Sequence, residues 1–228
     1  GDVVQALSTH FDQFWNDEWT FPEDFVNHPS KLHESATDYA KRIASETTRG
    51  LVESPETRSA KWIEVAGKAH QADIQILADL PATSLGAKHF NASGAKILAT
   101  QLIELIDQAE QELIMVSAYL IPTHELTEAI RRAEQRGVEV RLLTNSMRSN
   151  NHLAAHAAYR HHTKEMVQHG ADIHEVHVFA KDRDRYMQEP VSDKHLGLHA
   201  KFLLIDQKYS IVGSANLDPR SLELNTEL

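Results

Sequence analysis

Short apolar runs alternate with helical text along most of this chain, and that alternation restricts the fold more than any other feature. ELIMVSAYL (112–120) is almost continuously apolar, the pattern of a strand buried on both faces. A helical stretch follows from about Thr123 to Arg136 and closes at Gly137. VEVRLLTN (138–145) is the next strand. A histidine-rich helix covers about 151–169 and closes at Gly170, and ADIHEVHVF (171–179) is another strand. Upstream, SGAKILATQLIELIDQAEQ (93–111) sets Leu98, Leu102, Leu105, Ile106 and Ala109 on one helical face, with Ser93 as N-cap. HAKFLLID and YSIVGSAN end the series as two strands joined by a tight turn at Gln207–Lys208. The predicted architecture is α/β: a sandwich of helices around a mixed central β-sheet.

The first quarter of the chain is less regular. VVQALSTHFDQFWN (3–16) places Val3, Leu7, Phe11 and Phe14 at helical spacing, with Trp15 beside them. A loop is predicted over 17–33 and a polar surface helix over 34–48. KWIEVAG and ADIQILAD read as short strands around 61–66 and 72–78. The expected division is an N-terminal helix and linker over 1–60 and one catalytic domain over 61–228. The chain begins with Gly1 and is expected to be a piece of a longer protein.

Composition narrows the chemistry. With 41% hydrophobic residues the 228-residue chain can bury a sizeable core. It has no cysteine, which excludes disulfides, thiolate catalysis and cysteine-held metals. The formal charge of −10 argues against a nucleic-acid partner, because phosphate neutralisation drives that binding. No apolar stretch is long enough for a membrane-spanning helix.

The chemistry concentrates in LHAKFLLIDQKYSIVGSANLDPRSLELNTEL (198–228). His199 and Lys201 are two residues apart, so on a strand they share a face, as do Ser214 and Asn216 on the next. An imidazole can act as nucleophile or proton carrier. An ammonium, a hydroxyl and an amide are the donors that a phosphoryl oxygen needs as charge develops. Asp206, five residues beyond Lys201, points away and is expected to be structural.

His-x-Lys-x4-Asp followed by Gly-Ser-x-Asn resembles the signature of the phospholipase D superfamily. VSAYLIP (116–122), RGVEVRLLTNS (136–146), HAAYRHHTKEMVQHGADIHEV (156–176) and SANLDPRSLELNTE (214–227) are similar to bacterial cardiolipin synthases, especially the C type. FDQFWN (11–16) resembles the text between that family's two catalytic motifs. The resemblance implies a phospholipase D-like α-β-α sandwich and two-step phosphatidyl transfer through a phosphohistidine, with no metal and no cofactor. It makes His199 the imidazole of the C-terminal motif, where the general acid/base more often sits. Lys201 and Asn216 then bind phosphoryl oxygens, Ser214 hydrogen-bonds within the site, and Glu227 orients a catalytic histidine. It further implies phospholipid substrates and a bacterial protein peripherally held on the cytoplasmic side of the inner membrane.

The chain departs from the family in carrying one such motif where the family has two. HHTKEM has no aspartate at the required distance, and SDKHLG has the wrong order. The expected partner is either a missing N-terminal half or a second copy in a homodimer; without one the fragment is inactive. A phospholipase D-type hydrolase or nuclease, and a non-catalytic lipid- or protein-binding module, remain alternatives. Tyr119, Asn145, His156 and Tyr159 are candidates for the pocket rim. The fifteen histidines include His152 and His156 at i, i+4, but no third ligand accompanies them, and no metal site is expected. The loop 181–197, with Pro190 and Gly197, is either a gate over the site or plain solvated loop.

Overall fold

The computed structural model describes residues 2–21, 54–81, 97–182 and 196–228. The expected helix at 34–48, the Ser93 cap and most of the 181–197 loop lie outside them. The chain divides into two compact units, Gly1–Trp19 with Ile76–Leu228, and Thr20–Gln75. The boundary expected at residue 60 falls inside the second unit.

In the larger unit, helix α1 (Asp2–Trp15) has no buried residue. Of the apolar stripe read from the sequence, Leu7 and Phe11 are exposed while Val3 and Phe14 are half-buried.

Two strand expectations are corrected. KWIEVAG lies in helix α2 (Pro55–Gly67), and no strand forms over 72–78. The start of α2 is fixed locally: Ser54 accepts a hydrogen bond from the Thr57 N–H at 3.2 Å, and proline occupies the first turn. Trp62, Ile63 and Val65 gave strand-like text, yet they are exposed on this helix.

The larger unit is built on a five-stranded mixed sheet of order β3-β2-β1-β4-β5. Strands β1 (Glu112–Ser117), β2 (Glu139–Asn145) and β3 (Asp172–Val176) run parallel; β4 (Lys201–Ile205) is antiparallel to β1, and β5 (Tyr209–Val212) to β4. Helix α3 (Ile97–Asp107) precedes β1. Helices α4 (His124–Gln135) and α5 (Leu153–His169) make the β1–β2 and β2–β3 crossovers. Thr123 caps α4 by accepting from the Leu126 N–H at 3.2 Å, and Gly170 ends α5 at φ +115°.

Alternation along the strands builds the core. Leu113 and Met115 of β1 lie in register with Val140 and Leu142 of β2, and with Ile205 and Leu203 of β4. All six are buried with Leu102 and Ile106 of α3, Ile130 of α4 and Met166 of α5. The turn between β4 and β5 is centred on Asp206 and Gln207, one residue earlier than expected. Both have positive φ, +54° and +55°, and the Lys208 N–H donates to the Ile205 carbonyl at 2.9 Å. With Ile205 paired to Tyr209, the loop is three residues, Asp206–Lys208.

Topology fixes where a ligand can sit. From β1 the chain builds outward through β2 and β3, then returns to the other side of β1 for β4 and β5. In such sheets the crevice opens at the carboxyl ends of the parallel strands, where the order switches. Here that end is formed by Ser117, Asn145 and the start of β4 at Lys201.

Candidate active site

His199 and Lys201 stand at this crevice. Lys201 opens β4, whereas His199 precedes the strand rather than lying on it. The Lys201 Nζ is 2.9 Å from His199 Nδ1 and donates to the His199 carbonyl at 2.9 Å. One ammonium therefore holds both the imidazole and its own backbone. His199 is exposed and Lys201 half-buried, so the imidazole is the outermost group. Burial holds the Lys201 ammonium below the ordinary lysine pKa, while the carboxylates of Glu227 and Asp218 push it back up.

Ser214 and Asn216 lie past the end of β5, not on it. The Gly213 N–H donates to the Lys201 carbonyl at 3.4 Å, which carries the pairing one step beyond the strand. The Ser214 hydroxyl donates to Glu227 Oε2 at 2.5 Å, and Asn225 Nδ2 donates to Glu227 Oε1 at 3.2 Å. Those contacts engage both oxygens of the carboxylate. The Ser214 N–H also donates to the Leu228 carbonyl at 2.7 Å. Residues 225–228 thus fold back beside Ser214, and the five expected site residues come from three segments that meet at one edge. The Asn216 side-chain oxygen is buried with no hydrogen-bond partner among the described residues.

Asp206 sits at the opposite end of β4. Its carboxylate accepts three backbone N–H groups, from Glu110 at 2.9 Å, Gln111 at 2.8 Å and Glu112 at 3.0 Å. The Glu110 N–H leads the interactions that hold this carboxyl below the ordinary aspartate pKa. The motif aspartate ties the hairpin turn to the head of β1 and does not touch the imidazole.

The four rim candidates differ in exposure. Asn145, His156 and Tyr159 are buried, at 4%, 6% and 3% exposure. Burial pushes the Tyr159 hydroxyl up to about 12. Tyr119 is only half-buried; its hydroxyl donates to Asn151 Oδ1 at 2.6 Å, and its ring meets His152 edge-on. Among the described residues, no cluster of three or more histidine, aspartate or glutamate residues is arranged to hold a metal ion.

Sequence reading missed Asp79, Ser117, Asp218 and Ser221, all buried. Asp218 accepts the Ser221 N–H at 2.8 Å, and Ser221 Oγ accepts the Asn216 N–H at 3.1 Å. The Asp-Pro-x-Ser text carried a signal for this, since aspartate before proline opens a helical turn. Asp79 and Ser117 gave no local signal.

Comparison with known proteins agrees with the motif. Residues 102–228, more than half of the chain, match the family model described as cardiolipin synthase, PLD-like domain. Cardiolipin synthase C of Escherichia coli (strain K12) is 28% identical over 244 residues, covering 100% of this chain and 48% of that protein. Cardiolipin synthase A of Buchnera aphidicola subsp. Acyrthosiphon pisum (strain APS) is 31% identical over 183 residues, covering 80% of this chain and 32% of that protein. The chain therefore spans about half the length of the first relative or less. A solved phospholipase D family member, Nuc from Salmonella typhimurium, aligns with a TM-score of 0.40 at 21% identity, over 57% of this chain and 72% of that one. On the family match, the chain belongs to the cardiolipin synthase family of phospholipase D-like domains.

Proposed function

We propose that this chain is one wall of a phosphatidyltransferase site, the C-terminal half of a two-motif enzyme that makes cardiolipin from phospholipids. The observation that carries the reading is the Lys201–His199 contact beside the Ser214–Glu227 pair, at the switch point of the sheet. The chain's coverage of only 48% of the Escherichia coli relative supports the half-enzyme part.

The chemistry is two in-line displacements at phosphorus. In the first, an imidazole nitrogen attacks and the P–O bond to the departing alcohol breaks. A facing imidazolium gives that oxygen its proton. In the second, the acceptor hydroxyl attacks, the P–N bond breaks, and the facing imidazole takes the proton back. His199 is assigned the acid–base half. The second imidazole comes from the other half of the longer protein. Lys201 and Asn216 face the non-bridging oxygens as negative charge builds. Ser214 and Glu227 form a fixed polar floor beside them. Among the described residues no helix is long and apolar enough to cross a membrane.

The test is a substrate profile of the full-length protein. Vesicles containing phosphatidylglycerol and single-stranded DNA are supplied in parallel, and products are resolved by mass spectrometry. Cardiolipin with free glycerol supports the proposal. Phosphatidic acid alone identifies a hydrolase, and cleaved DNA a nuclease; either result overturns it.

A further inference from the structure

Every residue assigned to phosphoryl transfer except Lys201 lies beyond a strand end, where the sheet ladder no longer supplies partners for the backbone. Buried backbone N–H and C=O groups still need partners. We propose that three buried side chains, Asn145, Ser117 and Asp79, are positioning residues, each clamping the backbone of one site-bearing segment; this rests on the site reading above.

Asn145, the last residue of β2, reaches across the end of β1. Its Nδ2 donates to the Leu198 carbonyl at 2.9 Å and to the Ala118 carbonyl at 3.0 Å, and its Oδ1 accepts the Leu198 N–H at 2.9 Å. A single amide thus replaces a neighbouring strand for Leu198, the residue next to His199. Ser117 ends β1 and is 1% exposed. Its Oγ accepts the Leu217 N–H at 3.0 Å and donates to the Tyr119 carbonyl at 2.6 Å. Leu217 follows Asn216, and its carbonyl in turn accepts the Ile121 N–H at 2.8 Å. Asp79, fully buried, holds the third segment. Its N–H donates to the Glu227 carbonyl at 3.0 Å, and its Oδ2 accepts the Glu227 N–H at 3.2 Å. Oδ1 accepts the Leu98 N–H at 3.0 Å, which anchors the clamp to the start of α3.

The pattern is the same three times. One buried polar side chain binds the backbone of the site residue or of its immediate neighbour, and the Lys201 ammonium bonds to His199 rather than to any of the three. Reacting groups displaced by about 1 Å lose on the order of 100-fold in rate. The clamps therefore act on turnover more than on substrate binding.

The test uses the full-length protein with Asn145→Ala and Ser117→Ala, and Ser117→Thr as the variant that keeps the hydroxyl. Turnover is measured on whichever phosphodiester the wild type converts, so failure to make cardiolipin overturns the earlier reading without touching this one. Each alanine variant is expected to lower kcat about 10- to 100-fold with KM within about 3-fold, and Ser117→Thr to recover most of the loss. Amide hydrogen exchange gives a second readout that needs no activity. Exchange at Leu198 rises about 10-fold in Asn145→Ala, and at Leu217 in Ser117→Ala, while β1 and β2 amides are unchanged. Unchanged kcat in folded variants overturns the proposal, and so does unchanged exchange at both leucines. A kcat loss that tracks only the folded fraction also overturns it, because the residues are then structural.

Discussion

Replacing Asp206 by asparagine separates the structural half of the motif from its chemistry. Asparagine tolerates the positive φ of +54°, so the turn itself is kept. One acceptor oxygen survives for the N–H groups of Gln111 and Glu112. The other becomes an NH2 group facing the Glu110 N–H, where the carboxylate accepted at 2.9 Å. A hydrogen bond to a charged acceptor contributes about 1.5–3 kcal/mol and one to a neutral acceptor about 0.5–1.5 kcal/mol. The Glu110 N–H is near solvent and can bind water instead, which lowers the loss. The expected destabilisation is about 1–2 kcal/mol at neutral pH. Urea unfolding followed by circular dichroism measures it through a lower midpoint at unchanged slope. The pH dependence gives the sharper check. The folded carboxyl lies below its ordinary pKa, so its stabilisation is complete above the ordinary aspartate value of about 3.9 and fades as pH falls through the lowered one. Wild type and variant should therefore converge in acid. A difference under about 0.3 kcal/mol at pH 7, or one that persists unchanged to pH 3, refutes the capping role.

Two further outcomes follow from the site. A Cβ added at Gly213 meets the Leu228 carbonyl oxygen at 2.6 Å, so Gly213→Ala must shift the backbone beside Glu227 and is expected to disturb the Ser214–Glu227 contact. Turnover of the full-length protein should fall by about 100-fold, and wild-type rates in that variant contradict the role of the 225–228 segment. Because burial lowers the Lys201 pKa, activity that needs its ammonium should decline with rising pH below the ordinary lysine value of about 10.4. Lys201→Arg, which stays charged, should remove that alkaline decline even if its maximal rate is lower; a pH–rate profile reads both.

The strands from 112 onward were legible because β1 is an almost continuous apolar run and the others lie between clear stops such as Gly137 and Gly170. The helix at 55–67 was not. Trp62, Ile63 and Val65 suggested strand, and the Ser54–Pro55 start that decides the matter is a short-range signal easily outweighed by them. The motif residues were legible as types, but strand alternation was the wrong reason for their grouping. His199, Ser214 and Asn216 lie past strand ends, and side chains from elsewhere bring them together. Those side chains were invisible in the sequence because their partners are remote. Ser117 meets Leu217 across 100 residues, and Asp79 meets Glu227 across 148. Asn145 was noticed, but as a rim residue; only its burial and its bonds to Leu198 identify it as support beneath the site.

The central claim is that His199 carries protons or phosphorus in phosphatidyl transfer. The direct measurement is cardiolipin formation from phosphatidylglycerol by the full-length protein, compared with His199→Ala at matched folded concentration. The reading requires robust synthesis by the wild type and a loss of at least about 1,000-fold in the variant, as expected when an acid–base or nucleophilic group is removed. Cardiolipin output within a few-fold of wild type in His199→Ala would contradict it.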